Sequence, residues 1–173
     1  MAPIMVHTAD EVWQYIPKFH GKETSIHLTE MSKINEDYMQ KHLEENWTNL
    51  FSIRKEVYSA LELARQSKTI AKSLEAKVTL FVEDKKLEAI LNKYKKELPS
   101  IFIVSSVDIS DIKNSADNLF TAVSIPNLTI YVEKSQETKC ERCWTYTKDS
   151  GIDKEHPNLC PKCLKIIKEG ELL

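Results

Sequence analysis

All four cysteines of the chain fall between Lys139 and Lys165. They form two pairs, Cys140-Glu-Arg-Cys143 and Cys160-Pro-Lys-Cys163, with sixteen residues between the pairs. Two intervening residues let one tight turn aim both sulfurs at a common point. A second such turn completes a tetrahedron with zinc–sulfur bonds of about 2.3 Å. Four thiolates close the coordination shell and leave no position for water or substrate. The expected ion is therefore one structural zinc, not a catalytic one. A redox dithiol needs only one such pair, beside a thioredoxin-like pattern, and disulfides need an oxidising compartment; the sequence points to neither. Gly151 and Pro157 lie between the pairs, where a small hairpin has to reverse.

The surroundings are those of an ordinary soluble chain. Its 173 residues can bury a real core, and 42% hydrophobic with 29% charged residues is a common balance. A formal net charge of −2 excludes a uniformly basic nucleic-acid binder but leaves room for a local basic face. No apolar run reaches membrane-spanning length, and the N-terminus lacks the pattern of a secretory signal. Reduced thiolates without an export signal point to the cytoplasm.

The elements that must position the cysteines can be read along the chain. Thr8 and Glu11 form a capping-box pattern, which predicts a helix over Ala9–Ile16 with Val12, Trp13 and Ile16 on its apolar face. The apolar Pro3–Val6 stretch before it suggests a chain that starts inside a larger domain; the alternative is a short helix folded back on the core. Ser25–Leu28 suits a short extended segment, and Glu36–Asn46 a charged helical linker. Thr48–Ser67 is the clearest helix, with Leu50, Ile53, Val57, Leu61 and Ala64 on one stripe. Ala76–Val82 alternates as a strand, Lys85–Glu97 reads as a helix stopped by Pro99, and Ile101–Val107 reads as a central strand. Short connections favour a parallel crossover between the two strands. Asp108–Ser124 shows no period and reads as a loop. Asn127–Lys134 alternates again, and Cys163–Gly170 suits a short closing helix. The fold class is α+β: a helical N-terminal segment, a small mixed α/β domain and a four-cysteine zinc ribbon. The boundaries fall at 1–47, 48–135 and 136–173.

The residues around the cysteines resemble a known family. Lys139-Cys-Glu-Arg-Cys-Trp144 with Leu159-Cys-Pro-Lys-Cys163 is similar to the C-terminal zinc finger of bacterial isoleucyl-tRNA synthetases. Upstream, Ile53-Arg-Lys-Glu-Val57, Ala60–Arg65, Ile70–Ala76 and Ile101–Ser105 resemble the segment before that finger. Ala2-Pro-Ile4 and His7–Trp13 resemble the end of the helical anticodon-binding domain. Ala71 stands where the family usually has glycine, which strains the turn if the backbone there has positive φ. The resemblance implies a region that helps hold isoleucine tRNA for ATP-dependent aminoacylation by a catalytic domain outside this sequence. The family's His-Ile-Gly-His motif is missing. Glu30-Met-Ser-Lys33 only partly matches its Lys-Met-Ser-Lys-Ser loop, a coincidence, so this chain alone is expected not to activate isoleucine.

Candidate tRNA contacts follow. Arg142 and Lys162, one within each pair, are expected at the same end of the finger, where a phosphate could bridge them. Trp144 either stacks on an unpaired base or packs over the zinc site, and Tyr146 is either a second stacking face or an ordinary hairpin residue. Arg54, Lys55, Arg65, Lys68, Lys72 and Lys77 form either a phosphate-binding face or a solvated one, since Glu56, Glu62 and Glu75 are interspersed. The finger type also resembles that of formamidopyrimidine-type DNA glycosylases, but those need an amino-terminal Pro-Glu, and here Pro3 precedes Ile4. A zinc-stabilised protein-interaction module is the third reading. The expected partners are tRNA and the remainder of a synthetase.

Overall fold

The computed structural model describes residues 1–110 and 119–170, arranged as two compact units, Met1–Gln40 and Lys41–Leu173. In the first unit, α1 spans Val6–Tyr15. Thr8 is therefore inside the helix and not its cap. The turn at Met1–Met5 starts the helix earlier, with the Ile4 and Met5 N–H groups bonded to Met1 O, and Met5 is the cap residue without a side-chain bond. No residue of α1 is buried, and Val12 and Ile16 are both exposed. Polar bonds tie the unit together. Trp13 Nε1 donates to Glu23 O, Gln14 Nε2 donates to Thr24 O, and the Asp10 carboxylate accepts from Ser25 Oγ. Ser25–Leu28 is not extended: Ile26–Leu28 is a 3₁₀ turn capped by the Ser25 side chain.

The second unit opens with α2, Lys41–Gln66, which takes in the end of the charged segment expected as a linker. The expected stripe, Leu50, Ile53, Val57, Leu61 and Ala64, is buried. The helix closes with Lys68 at φ +61°. Lys68 N–H returns to Arg65 O and Thr69 N–H to Ala64 O, the paired bonds that satisfy the last carbonyls of a helix. Strand β1 is Ala76–Val82. Asp84 caps α3, Lys85–Lys93, by accepting from Lys86 N–H at 2.8 Å.

The next segment departs from expectation. Helix α3 ends well before Pro99, which instead sits in the first turn of α4, Leu98–Phe102, where a missing N–H costs nothing. Ile103 turns into the left-handed region at φ +58°, and Val104 N–H bonds back to Pro99 O. The apolar run 101–107 is thus half helical turn, and β2 begins only at Ser106 and runs to Ser110. Part of the expected loop at 108–124 is ordered as strand: β3 is Leu119–Thr121, while 111–118 lie outside the described residues. Strand β4 is Leu128–Lys134.

Among the described residues these strands form one sheet in the order β2-β1-β4-β3. β1 and β2 are parallel, as a strand–helix–strand unit predicts, and β4 runs antiparallel to both β1 and β3. β2 is therefore an edge strand and not a central one. Val78, Leu80, Val82, Leu128, Ile130 and Val132 share one core with the apolar faces of α2, α3 and α4. On the opposite face Lys77 bridges Asp108 at 3.5 Å and Glu133 at 3.2 Å.

Glu56 corrects the sequence reading in a different way. It is not part of a solvated face: it is 4% exposed, and its carboxylate accepts the N–H groups of Ser124 at 2.9 Å and Val123 at 3.1 Å. Burial opposes its charge, but those N–H groups outweigh burial and hold its pKa below the ordinary 4.5. A depressed carboxylate contributes in full above its unfolded value and loses that contribution as the pH falls toward the folded value. Glu56→Gln should lower stability by about 1–3 kcal/mol near neutral pH. Urea unfolding should show the gap between variant and parent narrowing once the pH drops below that ordinary value.

Candidate metal centre and nucleic-acid interface

Two short strands, β5 at Thr138–Lys139 and β6 at Tyr146–Thr147, form an antiparallel ribbon around the first cysteine turn. Trp144 takes φ +65° so that its N–H can reach Cys140 O at 2.8 Å, and Cys140 N–H reaches Thr145 O at 2.9 Å. The second turn leads into α5, Pro161–Gly170. Glu141 N–H to Asn158 O at 3.0 Å and Asn158 Nδ2 to the Glu141 carboxylate at 3.0 Å hold the two turns together. Gly151, at φ +86°, donates to Leu159 O; a Cβ there would meet Pro157 O at 2.8 Å, so this reversal requires glycine.

The four sulfurs lie within 4.8 Å of one another. Cys140, Cys160 and Cys163 are buried and Cys143 is half-buried. Cys143 Sγ and Cys160 Sγ are 3.7 Å apart. A tetrahedron with the usual zinc–sulfur bond length has sulfur–sulfur edges of about 3.8 Å, so the donor set fits zinc in chemistry and in spacing. At Cys140, burial opposes ionisation, but the N–H groups of Cys143, Cys160 and Arg142 overcome it and bring the thiol down to about 6. Burial pushes Cys160 up to about 12. Four sulfurs this close ionise together only around a cation. The cluster fits one structural zinc.

The other candidate residues separate into groups. Arg142 turns its guanidinium toward Cys163 Sγ, with Nη1 at 3.7 Å, so part of its charge faces the thiolates. Lys162 is exposed in the first turn of α5. Trp144 stands at the surface directly after the first cysteine turn. It is 56% exposed, with Lys72 Nζ 5.8 Å and Lys139 Nζ 5.7 Å from its ring. Tyr146 and Leu74 share this small cleft of about 50 Å³, whose wall includes Glu75. Glu75 also lines a neighbouring cleft of about 380 Å³ with Arg65, Lys68 and Lys134. Five of the expected residues, Arg65, Lys68, Lys72, Trp144 and Tyr146, thus line two adjoining clefts that share Glu75 and together span sheet domain and finger, with Arg65 paired to Glu62 and Ser73. Arg54 is elsewhere: its Nε donates to Tyr58 Oη at 2.7 Å, beside Phe51. Lys134 and Lys139 belong to the surface but were not singled out from sequence. Their signal was position, since each ends a strand next to the finger.

Comparison with known proteins resolves what this arrangement belongs to. Residues 1–80 match the anticodon-binding domain of tRNA ligase, and residues 138–166 match the zinc finger found in FPG and IleRS. Isoleucine–tRNA ligase of Geobacter sulfurreducens is 42% identical over 168 residues, 97% of this chain and 18% of that protein. The chain corresponds to the C-terminal region of bacterial isoleucyl-tRNA synthetase. The isoleucine–tRNA ligases of Desulforamulus reducens and Staphylococcus haemolyticus are 36% and 40% identical over 98% and 97% of the chain. The chain spans less than a fifth of the length of these synthetases. The finger alone is common to glycosylase and synthetase, but the anticodon-binding match and the end-to-end similarity favour the synthetase. The family's usual glycine at Ala71 is not needed here, because Ala71 has no positive φ; its N–H is held by the Glu75 carboxylate at 3.0 Å.

Proposed function

We propose that this region grips isoleucine tRNA and positions it for ATP-dependent aminoacylation by the rest of the synthetase. The observation that carries the reading is the composite surface, on which the Trp144 ring of the finger has Lys72 Nζ of the sheet domain at 5.8 Å and Lys139 Nζ at 5.7 Å, and from which Glu75 leads to the cleft of Arg65, Lys68 and Lys134. An exposed indole flanked by two ammonium groups offers a flat face for an unpaired base and two partners for its phosphates. Cys140, Cys143, Cys160 and Cys163 hold the structural zinc, and Arg142 and Lys162 add positive charge beside it. Arg54 and Tyr58 would make a separate, weaker contact. We assign the residues before α2 to the end of the anticodon-binding domain and its linker, α2 to residue 135 to the sheet domain and 136–173 to the finger; the boundary expected at 47 falls inside α2. The cytoplasm is the compartment that suits the proposed role; no helix among the described residues is long and apolar enough to cross a membrane.

The test is binding of isoleucine tRNA, an unrelated tRNA and duplex DNA by the zinc-loaded chain at two salt concentrations. Trp144→Ala should weaken isoleucine tRNA binding about 5- to 100-fold with zinc retained. Lys72→Ala should reduce the salt dependence by about one phosphate contact. Unchanged affinity in both variants would remove this surface from the tRNA interface.

A further inference from the structure

We infer that Ser105 is a positioning residue that sets the angle of the finger against the sheet domain and so assembles the composite surface. The inference rests on the tRNA reading only for its functional consequence. Ser105 lies between α4 and β2, half-buried, where its N–H bonds to Ala76 O at 3.1 Å at the start of β1. Its hydroxyl donates to Leu74 O and accepts the Tyr146 N–H, at 2.6 Å from that nitrogen. One hydroxyl thus uses its single proton inward, on the segment just before β1, and a lone pair outward, on the ribbon of the finger. Tyr146 pairs with Lys139 across that ribbon, and Trp144 lies two residues before it. Lys72 lies two residues before Leu74. Both ends of the Ser105 bridge therefore lead directly to the Lys72–Trp144–Lys139 group.

Among the described residues, few other side-chain contacts join the finger to the sheet domain, the approach of Lys72 to the Trp144 ring being one. The finger's small core of cysteines and Leu159 is separate from the sheet core. The chain connection itself is fixed on the sheet side by Ser135 N–H to Glu75 O at 2.8 Å. That bond fixes where the finger begins. A second bond at a distance from it is needed to stop rotation about the connection, and the Ser105–Tyr146 bond is so placed.

The experiment compares the zinc-loaded chain with Ser105→Ala, Ser105→Val and Ser105→Thr. Thr and Val have nearly the same shape and differ in the hydroxyl. Four readouts are followed: zinc content, amide exchange, residual dipolar couplings of finger relative to sheet, and isoleucine tRNA affinity. Ala and Val should retain zinc and accelerate exchange of the Tyr146 amide about tenfold or more, while the Cys140 amide is unaffected. They should also change the relative alignment of the two parts and weaken tRNA binding about 2- to 10-fold. Thr should restore Tyr146 exchange, alignment and tRNA affinity to those of the parent. Alignment and Tyr146 exchange unchanged in Ala and Val would overturn the inference, as would failure of Thr to differ from Val. A changed alignment with unchanged tRNA affinity would support the role of Ser105 and count against the tRNA surface instead.

Discussion

Chelating the zinc, or replacing Cys160 with serine, is expected to unfold the finger and leave the sheet domain folded. The ribbon consists of two strands of two residues each, which cannot persist unaided in water. Apart from the cysteines, the apolar residue packed into the finger's core is Leu159. Zinc binding supplies about 10–16 kcal/mol in finger peptides near neutral pH, and that energy is folding energy when no other core exists. The sheet core shares no residue with the finger core and has no need of the metal. Two-dimensional amide spectra with and without chelator should show signals of 138–170 collapsing to narrow dispersion while those of β1 and β4 keep their positions. Coincident loss of both sets would show instead that finger and sheet fold as one cooperative unit.

The second large effect is expected at Phe102. Phe102→Ala should cost about 3–5 kcal/mol. The ring is fully buried at the end of α4, in the same core as Leu50, Leu98 and Val104. The neighbouring Ile103 is 49% exposed and turned outward by its left-handed backbone. The loss therefore comes from the emptied cavity and not from a general weakening of the turn. Urea unfolding of the zinc-loaded variant should show a lower midpoint with nearly the same slope. A cost below about 1 kcal/mol would mean that the helical turn can collapse into the space.

Legibility in the sequence followed distance along the chain. The zinc site could be read because each half of it is a four-residue turn, and the cysteines sit where those turns need them. β1 and β4 could be read because the period-2 alternation at Val78, Leu80, Ile130 and Val132 survives into the burial pattern. The stretch from Leu98 to Val107 could not. Apolar composition there suits a strand, but Pro99 starts a helical turn and Ile103 ends it in a conformation rarely taken by a β-branched residue. Glu56 was equally hidden, since the N–H groups that justify its burial are 67 and 68 residues away. The basic surface was legible as a collection of residues and illegible as a place, because Lys72 and Trp144 meet only after the finger folds back on the segment before β1.

The order of strands has a consequence for how the chain is made. β1 sits between β2 and β4, and its antiparallel partner β4 comes only after α3, α4, β2 and β3 in the chain. At synthesis rates of about 5–20 residues per second, Ala-Lys-Val-Thr-Leu-Phe-Val emerges on the order of seconds before β4 can seal it. During that interval an apolar, β-prone edge is open on the growing polypeptide. α2 is already complete by then and can shelter one face of the strand, but a helix does not occupy the hydrogen-bonding edge. The ribosome-bound intermediate is therefore most vulnerable to mispairing at β1. The finger, whose contacts are local, adds little to that hazard.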